Sequence, residues 1–384
     1  MRGPTQKLLW IAFALWIGIA VAVTASSGRF AELLQFIPDT PETRREVYIT
    51  DYFGAAEAIG LAPPFPYAGE SKDLLSRLKE FAALPAGPYI SGFVHWMPLE
   101  FNALLHEAVG YDLRNVSASI VAGDPSSLHS AIALDEKTDI EGIYSRVQVH
   151  ANWPEPDQSS HRGVRCLSWG KDRWIDPART LQPPVYDEFG RGARLAFFES
   201  VLGYAVWTEG ILAMVDSFAG GRPSLAEVEP FRLLAEGLEA LGVFGAYLSA
   251  NTFSQSVEAL MTSIVVDPET VARVQAESML NPYCAYAVGI GREASEAFMG
   301  LVLVHQSEAL CEENADRLRQ RLQEGTNILN GGAWSDVFDP EKLAVVVDGL
   351  ALRARVPIHP PSLWLQWALV GDPLLLHHDA GGCP

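Results

Sequence analysis

Residues 345–356 read VVVDGLALRARV, two apolar runs joined by Asp348-Gly349. An Asp-Gly pair between β-prone runs is a strong hairpin signal, because a type I′ turn needs positive φ at both central residues. Arg353 and Arg355 alternate with apolar residues, which places both guanidinium groups on one face of the second strand. These arginines either protect a solvated face or form a surface contact with an anion or an acidic partner.

The segment before this hairpin predicts a helix over residues 308–323. Apolar residues recur every three to four positions from Cys311 to Leu322, while Glu313 and Arg317 lie four positions apart on the polar side. A helix with one apolar stripe packs on a sheet, so the hairpin and helix together predict an α+β fold with mostly antiparallel strands.

The same order of elements is found twice along the chain, which predicts two similar, tandem α/β halves. The first half contains predicted helices at 99–109, 139–147 and 209–218, and strands at 116–122, 128–134, 164–169, 195–199 and 203–207. The second contains predicted helices at 231–241, 308–323 and 362–370, and strands at 243–249, 285–289, 298–304, 343–347 and 350–356.

Several of these stretches carry a resemblance. FIPDTPETRREVYITDY at 36–52, GYDLRNVSASIVAGDP at 110–125, the hairpin above and WLQWALVGDPLLL at 364–376 resemble a group of uncharacterised exported bacterial proteins with a duplicated α/β domain. The resemblance implies export and duplication. It supplies no site residues.

The N-terminal run Leu8–Thr24 is uncharged and apolar. A helix of that length just crosses a hydrocarbon layer of ~30 Å. Arg2 and Lys7 precede it, so the positive-inside bias keeps this end cytoplasmic and sends the remainder across the membrane. We favour an uncleaved anchor because the run exceeds a typical signal-peptide core; cleavage after Ala25 is the alternative. Either interpretation places the body outside the cytoplasm.

The predicted organisation follows from these elements. Residues 1–27 form a membrane anchor or signal segment, and 28–92 form a connector with an N-terminal helical segment that includes a short strand at Val47–Ile49 and a helix capped by Asp51. The first half spans 93–225, the second half 226–376, and a solvated tail 377–384 carries the His377-His378 pair.

The charge balance limits the partners. The formal net charge is −19, so most of the surface repels a phosphate backbone, and nucleic acid is excluded as a partner. The negative body also disfavours broad attachment to anionic lipid, so membrane association must come from the N-terminal helix.

No motif indicates a cofactor or a metal. Gly289-Ile290-Gly291 fits a dinucleotide fingerprint only if a helix follows, and a strand at 298–304 is predicted instead. The acidic residues from Asp135 to Glu141 fit a solvated helix N-terminus better than a calcium loop. The four cysteines are too scattered for a zinc site. Buried free thiols are the simpler interpretation, and a Cys284–Cys311 disulfide is the alternative.

The sequence therefore predicts a membrane-tethered extracytoplasmic binding or scaffold module, single-pass in the cell membrane and acting on another envelope component. The alternative is an extracytoplasmic enzyme, such as a hydrolase, with a site between the halves, because a catalytic triad is recognised by geometry and not by sequence position. The sequence assigns no catalytic residues to this alternative.

Overall fold

A computed structural model of the chain describes residues 28–60, 109–111, 115–124, 126–149, 154–179, 190–253, 269, 279–293, 296–326, 332–336, 338–358 and 376–378. The predicted anchor and the predicted helices at 99–109 and 362–370 lie outside these residues, apart from Val109. Within the described ranges, no helix combines the length and the apolar character needed to cross a membrane.

The described strands form a single antiparallel sheet of twelve strands, in the order β11-β12-β10-β9-β8-β1-β2-β3-β7-β6-β5-β4. The fold is therefore α+β, as predicted. The strands are β1 (Val47–Asp51), β2 (Val116–Ala122), β3 (His129–Leu134), β4 (Asp157–His161), β5 (Val164–Ser168), β6 (Arg194–Phe197), β7 (Val201–Ala205), β8 (Val243–Ser249), β9 (Ala285–Glu293), β10 (Glu296–Val304), β11 (Ala344–Asp348) and β12 (Ala351–Pro357).

Helices cover both faces of the sheet, which explains why most strands are buried on both sides. One buried cluster of apolar side chains includes residues from α2, α3 and α6, and a second cluster includes residues from α1, α4 and α5. The helices are α1 (Arg29–Leu34), α2 (Tyr52–Ala58), α3 (Ile140–Val149), α4 (Thr208–Phe218), α5 (Glu229–Leu241) and α6 (Glu308–Glu324).

Strand β1 lies at the centre of the sheet. It pairs with β2 on one side, with Val47 opposite Ala122, and with β8 on the other, with Val47 opposite Leu248. The strand predicted at Val47–Ile49 is thus confirmed, and so is the Asp51 cap, whose side chain accepts the amide of Gly54. The segment assigned as a connector therefore contributes the strand that joins the two parts of the sheet.

The strand orders on the two sides of this junction correspond. From the junction outward, one side runs β1-β2-β3-β7-β6 and the other runs β8-β9-β10-β12-β11. In each, a helix follows the third strand, α3 on one side and α6 on the other, and a later hairpin, β6-β7 or β11-β12, pairs with the outer edge of that strand. The hairpin β4-β5 is an addition at the outer edge of the first side.

The hairpin at 345–356 is confirmed, but its turn differs from the predicted type. Asp348 pairs with Ala351, so Gly349 and Leu350 are the central residues. Only Gly349, with φ of 58°, has positive φ. Glycine at the first central position with an ordinary second residue corresponds to a type II′ turn.

The glycines of the Gly289-Ile290-Gly291 stretch serve packing. The stretch lies within β9, which extends past its predicted end at residue 289. The strand β10 follows as predicted, with Gly289 opposite Gly300. A methyl group on Gly289 would lie 2.5 Å from Val243 Cγ1 and 2.7 Å from the Gly245 carbonyl oxygen. Adjacent strands therefore approach here at a distance that only glycine permits.

We expect Gly289→Ala to lower the free energy of unfolding by about 1–3 kcal/mol, because an extra methyl group overpacks this contact. Urea unfolding of the full chain measures the effect. Ala344→Val, which adds methyl groups to the exposed strand β11, is the control and is expected to change stability little. If both variants had the same free energy of unfolding, β8 and β9 could move apart at Gly289 without loss of stability.

The predicted solvated His377-His378 pair is wrong. Both residues are buried. The His377 carbonyl accepts the amide of Leu280, and the amide of His378 donates to the carbonyl of Phe253. The Tyr283 hydroxyl donates to the Leu376 carbonyl at 2.6 Å. These hydrogen bonds to the main chain of residues 376–378 hold the segment in a buried position.

Candidate functional site

A cavity of about 630 Å³ opens at one end of strands β3 and β7. Four separate parts of the chain meet there: the loop after α1, the turn between β2 and β3, the loops between β5 and β6, and both ends of α4. We call it the His129 cavity. Its lining residues are Pro38, Thr40, Glu42, Asp124, Ser126, Ser127, His129, Arg173, Ile175, Arg191, Val206, Trp207, Glu209, Gly210, Ala213 and Arg222.

The inner wall of the cavity carries two buried polar atoms that lack a hydrogen-bond partner among the described residues, His129 Nδ1 and Ser127 Oγ. His129 is only 4% exposed, and its ring packs edge-on against Trp207 with centroids 4.7 Å apart. Trp207 comes this close to α4 because residue 210 is glycine, whose Cα faces the indole ring. Buried polar atoms without partners are rare, so these two atoms are candidates for hydrogen bonds to a ligand.

His129 is uncharged at neutral pH. Burial, together with the positive charge of Arg222, lowers the pKa of its imidazole from 6.5 to about 4. A neutral imidazole offers one donor and one acceptor. His129 therefore supplies hydrogen bonding, and not charge, to the cavity.

The cavity is lined by both signs of charge. Arg173, Arg191 and Arg222 are its basic residues, and Glu42, Asp124 and Glu209 are its acidic ones. The Asp124 carboxylate accepts the amides of Ser126 and Ser127 and the Ser126 hydroxyl, and these hydrogen bonds lower its pKa. The Asp124 carboxylate is therefore engaged by hydrogen bonds within its own turn.

Two arginines and two glutamates of the lining lack a salt bridge within the described part of the chain. They are Arg173, Arg222, Glu42 and Glu209. Four unpaired charges of opposite sign around one concave surface are suited to a ligand that itself carries both signs.

A buried arginine shapes the loop that carries Arg173. The Arg194 guanidinium donates to the carbonyls of Trp169, Gly170 and Gly192 at 2.9–3.1 Å and lies 2.7 Å from the Asp172 carboxylate. Asp172 in turn accepts the amide and the hydroxyl of Thr208 at the start of α4. The 169–173 loop is thereby fixed to β6 and α4.

Arg173 itself has a φ of 55°, a left-handed conformation uncommon for residues with a Cβ atom. The next part of the loop pairs with the segment before β6, since Ile175 and Arg191 form a bridge. The fixed loop thus holds Arg173, Ile175 and Arg191 at the mouth of the cavity.

The predicted arginine pair is ion-paired and lies away from this cavity. Arg353 binds the Asp348 carboxylate at 2.9 Å. Arg355 binds Glu293, and its guanidinium lies over the Phe298 ring at 3.9 Å. Each arginine is thus engaged with a carboxylate of another strand, Asp348 on β11 and Glu293 on β9, and a surface contact with an anion or an acidic partner stays a prediction.

The predicted Cys284–Cys311 disulfide is wrong. Cys311 is a buried free thiol, as is Cys166, whereas Cys284 is disulfide-bonded. The free-thiol interpretation therefore holds for Cys166 and Cys311 and fails for Cys284. Cys311 lies on the apolar stripe of α6, where burial raises the pKa of its thiol to about 12.

The acidic segment before α3 is engaged locally. Asp139 accepts the amide of Gly142, Asp135 accepts the amide of Lys137, and Glu141 binds Arg165. Across the described ranges, no group of three or more His, Cys, Asp and Glu side chains is arranged to hold a metal ion.

The sequence did not point to the His129 cavity. His129 was one of nine histidines without a pattern, and Arg173 and Arg222 stand in loops with no motif around them. The available signal was a set of glycines beside aromatic residues. Gly192 is one, since any larger residue there would clash with the Trp169 carbonyl. Such glycines mark close backbone approaches but do not show which loops meet.

The chain was compared with known proteins. No protein-family model matches it, and no curated protein matches it. One similar solved structure is described as "Structure of crystal form I of TP0453", at 7% sequence identity and a TM-score of 0.35, over 88% of this chain and 96% of that chain. A likeness with so low a TM-score carries no argument about this chain.

Proposed function

We propose that this protein is a membrane-tethered extracytoplasmic binding module, and that the His129 cavity binds a small ligand carrying both an acidic and a basic group. The observation that carries the proposal is the set of unpaired charges, Arg173, Arg222, Glu42 and Glu209, around the cavity. An acidic group of the ligand would pair with the arginines and an ammonium group with the glutamates, while His129 and Ser127 would supply hydrogen bonds.

The proposed localisation rests on two features. One is the apolar run Leu8–Thr24, which lies outside the described residues, and the other is the cysteines. Disulfides persist in oxidising compartments and are rare in the cytosol. The disulfide at Cys284 therefore supports a body outside the cytoplasm. Export is also what the resemblance to exported bacterial proteins implies.

We also propose that the two sides of the sheet arose by duplication. The support is the correspondence of strand order on either side of the β1–β8 junction, with a helix at the same place in each. Under this proposal the first copy starts at α1 and β1, earlier than residue 93, and β4-β5 is an insertion in that copy.

An enzyme of the hydrolase type is the rival function, because Ser127, His129 and carboxylates all line the cavity. Neither Ser127 Oγ nor His129 Nδ1 has a hydrogen-bond partner among the described residues, so no hydroxyl-imidazole-carboxylate chain is assembled. A pKa of about 4 for His129 also makes it a weak general base near neutral pH. These observations favour binding. A scaffold that contacts another envelope protein is a further alternative.

Thermal unfolding of the full chain in a mild detergent tests the binding site. The probes are O-phosphoethanolamine, which carries both charges, and inorganic phosphate and ethanolamine, which each carry one. At ~100 times its dissociation constant a ligand adds ~2.7 kcal/mol to stability, which raises the melting midpoint by several degrees. We expect the two-charge probe to stabilise the protein far more than either single-charge probe.

Variants assign the effect to the cavity. Arg222→Gln and Glu209→Gln should each weaken binding of O-phosphoethanolamine about tenfold or more, since a hydrogen bond to a charged group contributes ~1.5–3 kcal/mol. Arg232→Gln, on the exposed face of α5, is the matched control and should leave binding unchanged. Equal stabilisation of all variants would place the probe elsewhere and contradict the proposal.

ATP, zinc and calcium are expected to give no stabilisation in the same assay, because the sequence offers no glycine-rich phosphate cradle and no metal-ligand pair. A clear shift of the melting midpoint with any of them would contradict the non-enzymatic function and direct attention to metal- or nucleotide-dependent catalysis.

A further inference from the structure

The loop Lys171–Ile175 exposes large apolar side chains beside the mouth of the His129 cavity. Trp174 is 61% exposed and Ile175 is 53% exposed. Ile175 lines the cavity, and the bridge between Ile175 and Arg191 places Arg191 next to it. Trp and large aliphatic residues on an exposed loop are enriched where proteins enter the interfacial layer of a membrane.

The charge of the loop is basic, although the whole chain is acidic. Asp172 is neutralised by Arg194 at 2.7 Å, and Asp176 lies 3.5 Å from Arg179. Lys171 and Arg173 are left without a salt bridge in the described structure, and Lys171 Nζ lies 6.0 Å from the centre of the Trp174 ring. Basic residues beside an interfacial tryptophan suit contact with lipid phosphate groups.

We propose that this loop docks on the bilayer surface, with Trp174 and Ile175 in the interfacial layer, and that the His129 cavity takes a lipid headgroup carrying a phosphate and a primary ammonium. The inference rests on the proposed function, because it identifies the two-charge ligand as the headgroup of phosphatidylethanolamine. The net charge of −19 opposes docking on a strongly anionic surface, so a zwitterionic headgroup is the better match.

The headgroup chemistry accounts for the paired charges of the cavity. Arginines bind phosphate through several N–H donors, and glutamates accept hydrogen bonds from a primary ammonium. The quaternary ammonium of phosphatidylcholine donates no hydrogen bond, and phosphatidylglycerol has no cation. The Arg194 network keeps the loop in its exposed position, so Trp174 is presented without a folding step.

The test uses the full chain in nanodiscs whose acyl chains carry bromine, which quenches nearby tryptophan fluorescence. The chain has ten tryptophans, so the signal of Trp174 is obtained as the difference between the unchanged chain and Trp174→Phe. We expect a quenched Trp174 component in discs that contain phosphatidylethanolamine, and its loss in discs of phosphatidylcholine alone or with phosphatidylglycerol. Ile175→Ser should reduce the component, and Val346→Ser, at an exposed position on the distant edge strand β11, should not.

Each outcome bears on a different claim. Absence of a quenched Trp174 component in every lipid overturns docking, and equal quenching in all lipids overturns the choice of headgroup. Trp174 does not line the cavity, so Trp174→Phe should keep its stabilisation by soluble O-phosphoethanolamine in detergent. Stabilisation by that probe without a quenched component overturns the membrane inference and leaves the proposed function standing. Loss of the stabilisation in the unchanged chain contradicts the proposed function itself.

Discussion

Acidification from pH 7 to pH 4 is expected to lower the free energy of unfolding by roughly 6 kcal/mol, through two buried histidines that must stay uncharged in the fold. Burial lowers the pKa of His129 and of His305 from 6.5 to about 4. In the unfolded chain both take up a proton below about pH 6.5. The unfolded state therefore binds more protons between pH 6.5 and pH 4, and stability falls across that window.

The hydrogen bonds around His305 also favour its neutral form, independently of burial. The Asn314 side chain accepts the amide of Asn281 at 2.6 Å and donates to its carbonyl at 2.9 Å, which fixes the orientation of the Asn314 amide group. The same amide nitrogen lies 2.8 Å from His305 Nε2. Because that nitrogen is a donor, His305 Nε2 must accept, and a proton there would break the contact.

Urea unfolding across this pH range measures the effect. The variant His129→Gln with His305→Gln should lose roughly 6 kcal/mol of the dependence between pH 7 and pH 4, the share that these two histidines contribute. Asp124 and Asp216 have lowered pKa values, so their stabilisation is lost only at still lower pH, whereas half-buried Glu239, with a raised pKa, acts in the opposite direction. A flat profile for the unchanged chain would show that both histidines are protonated in the fold.

Arg194→Met is expected to lower the free energy of unfolding by about 3–5 kcal/mol, because it removes a buried guanidinium that donates several hydrogen bonds, and a hydrogen bond to a charged group contributes ~1.5–3 kcal/mol. The substitution leaves the carbonyls of Trp169, Gly170 and Gly192 without their shared donor. It also releases Asp172, and with it the loop that carries Arg173. Binding of O-phosphoethanolamine should weaken together with stability.

The matched control is Arg353→Met, another strand arginine paired with an aspartate. Arg353 is more exposed and makes one contact with Asp348 at 2.9 Å, so the loss should be at most about 1 kcal/mol. Both variants are compared by thermal and urea unfolding. If Arg194→Met were as stable as Arg353→Met, the loop would be held by its own turn residues and not by the buried guanidinium.

Much of the fold was predictable because its elements have clear local signals. The helix 308–323 has a single apolar stripe, the hairpin at 345–356 has its glycine turn, and Asp51 stands at a helix start. Strand β4 has the sequence DQSSH. It was not predicted, because an exposed strand at the edge of a sheet needs no alternation of apolar and polar residues. The central position of β1 was also missed, because a short strand does not show which distant strands it pairs with.

The candidate site was not predictable for a related reason. His129, Arg173 and Arg222 come from three loops, and each residue type is common in surface loops. Only the order of strands brings β3 beside β7 and hence those loops together. Ion pairs depend on strand order in the same way. The sequence shows Arg353 and Arg355 on one face of a strand, but only the pairing of strands in the sheet brings the carboxylates of Asp348 and Glu293 close to them.

The central position of β1 also sets an order of events for folding. Val47 pairs with Leu248, a contact that closes a loop of more than half the chain, and such distant contacts form slowly because closure of the loop costs entropy. If the chain is threaded across a membrane from its N-terminus, β1 emerges early and waits for β8 with one edge open. In that case the interval before β8 arrives is the period in which the open edge of β1 is most exposed to strand-mediated aggregation.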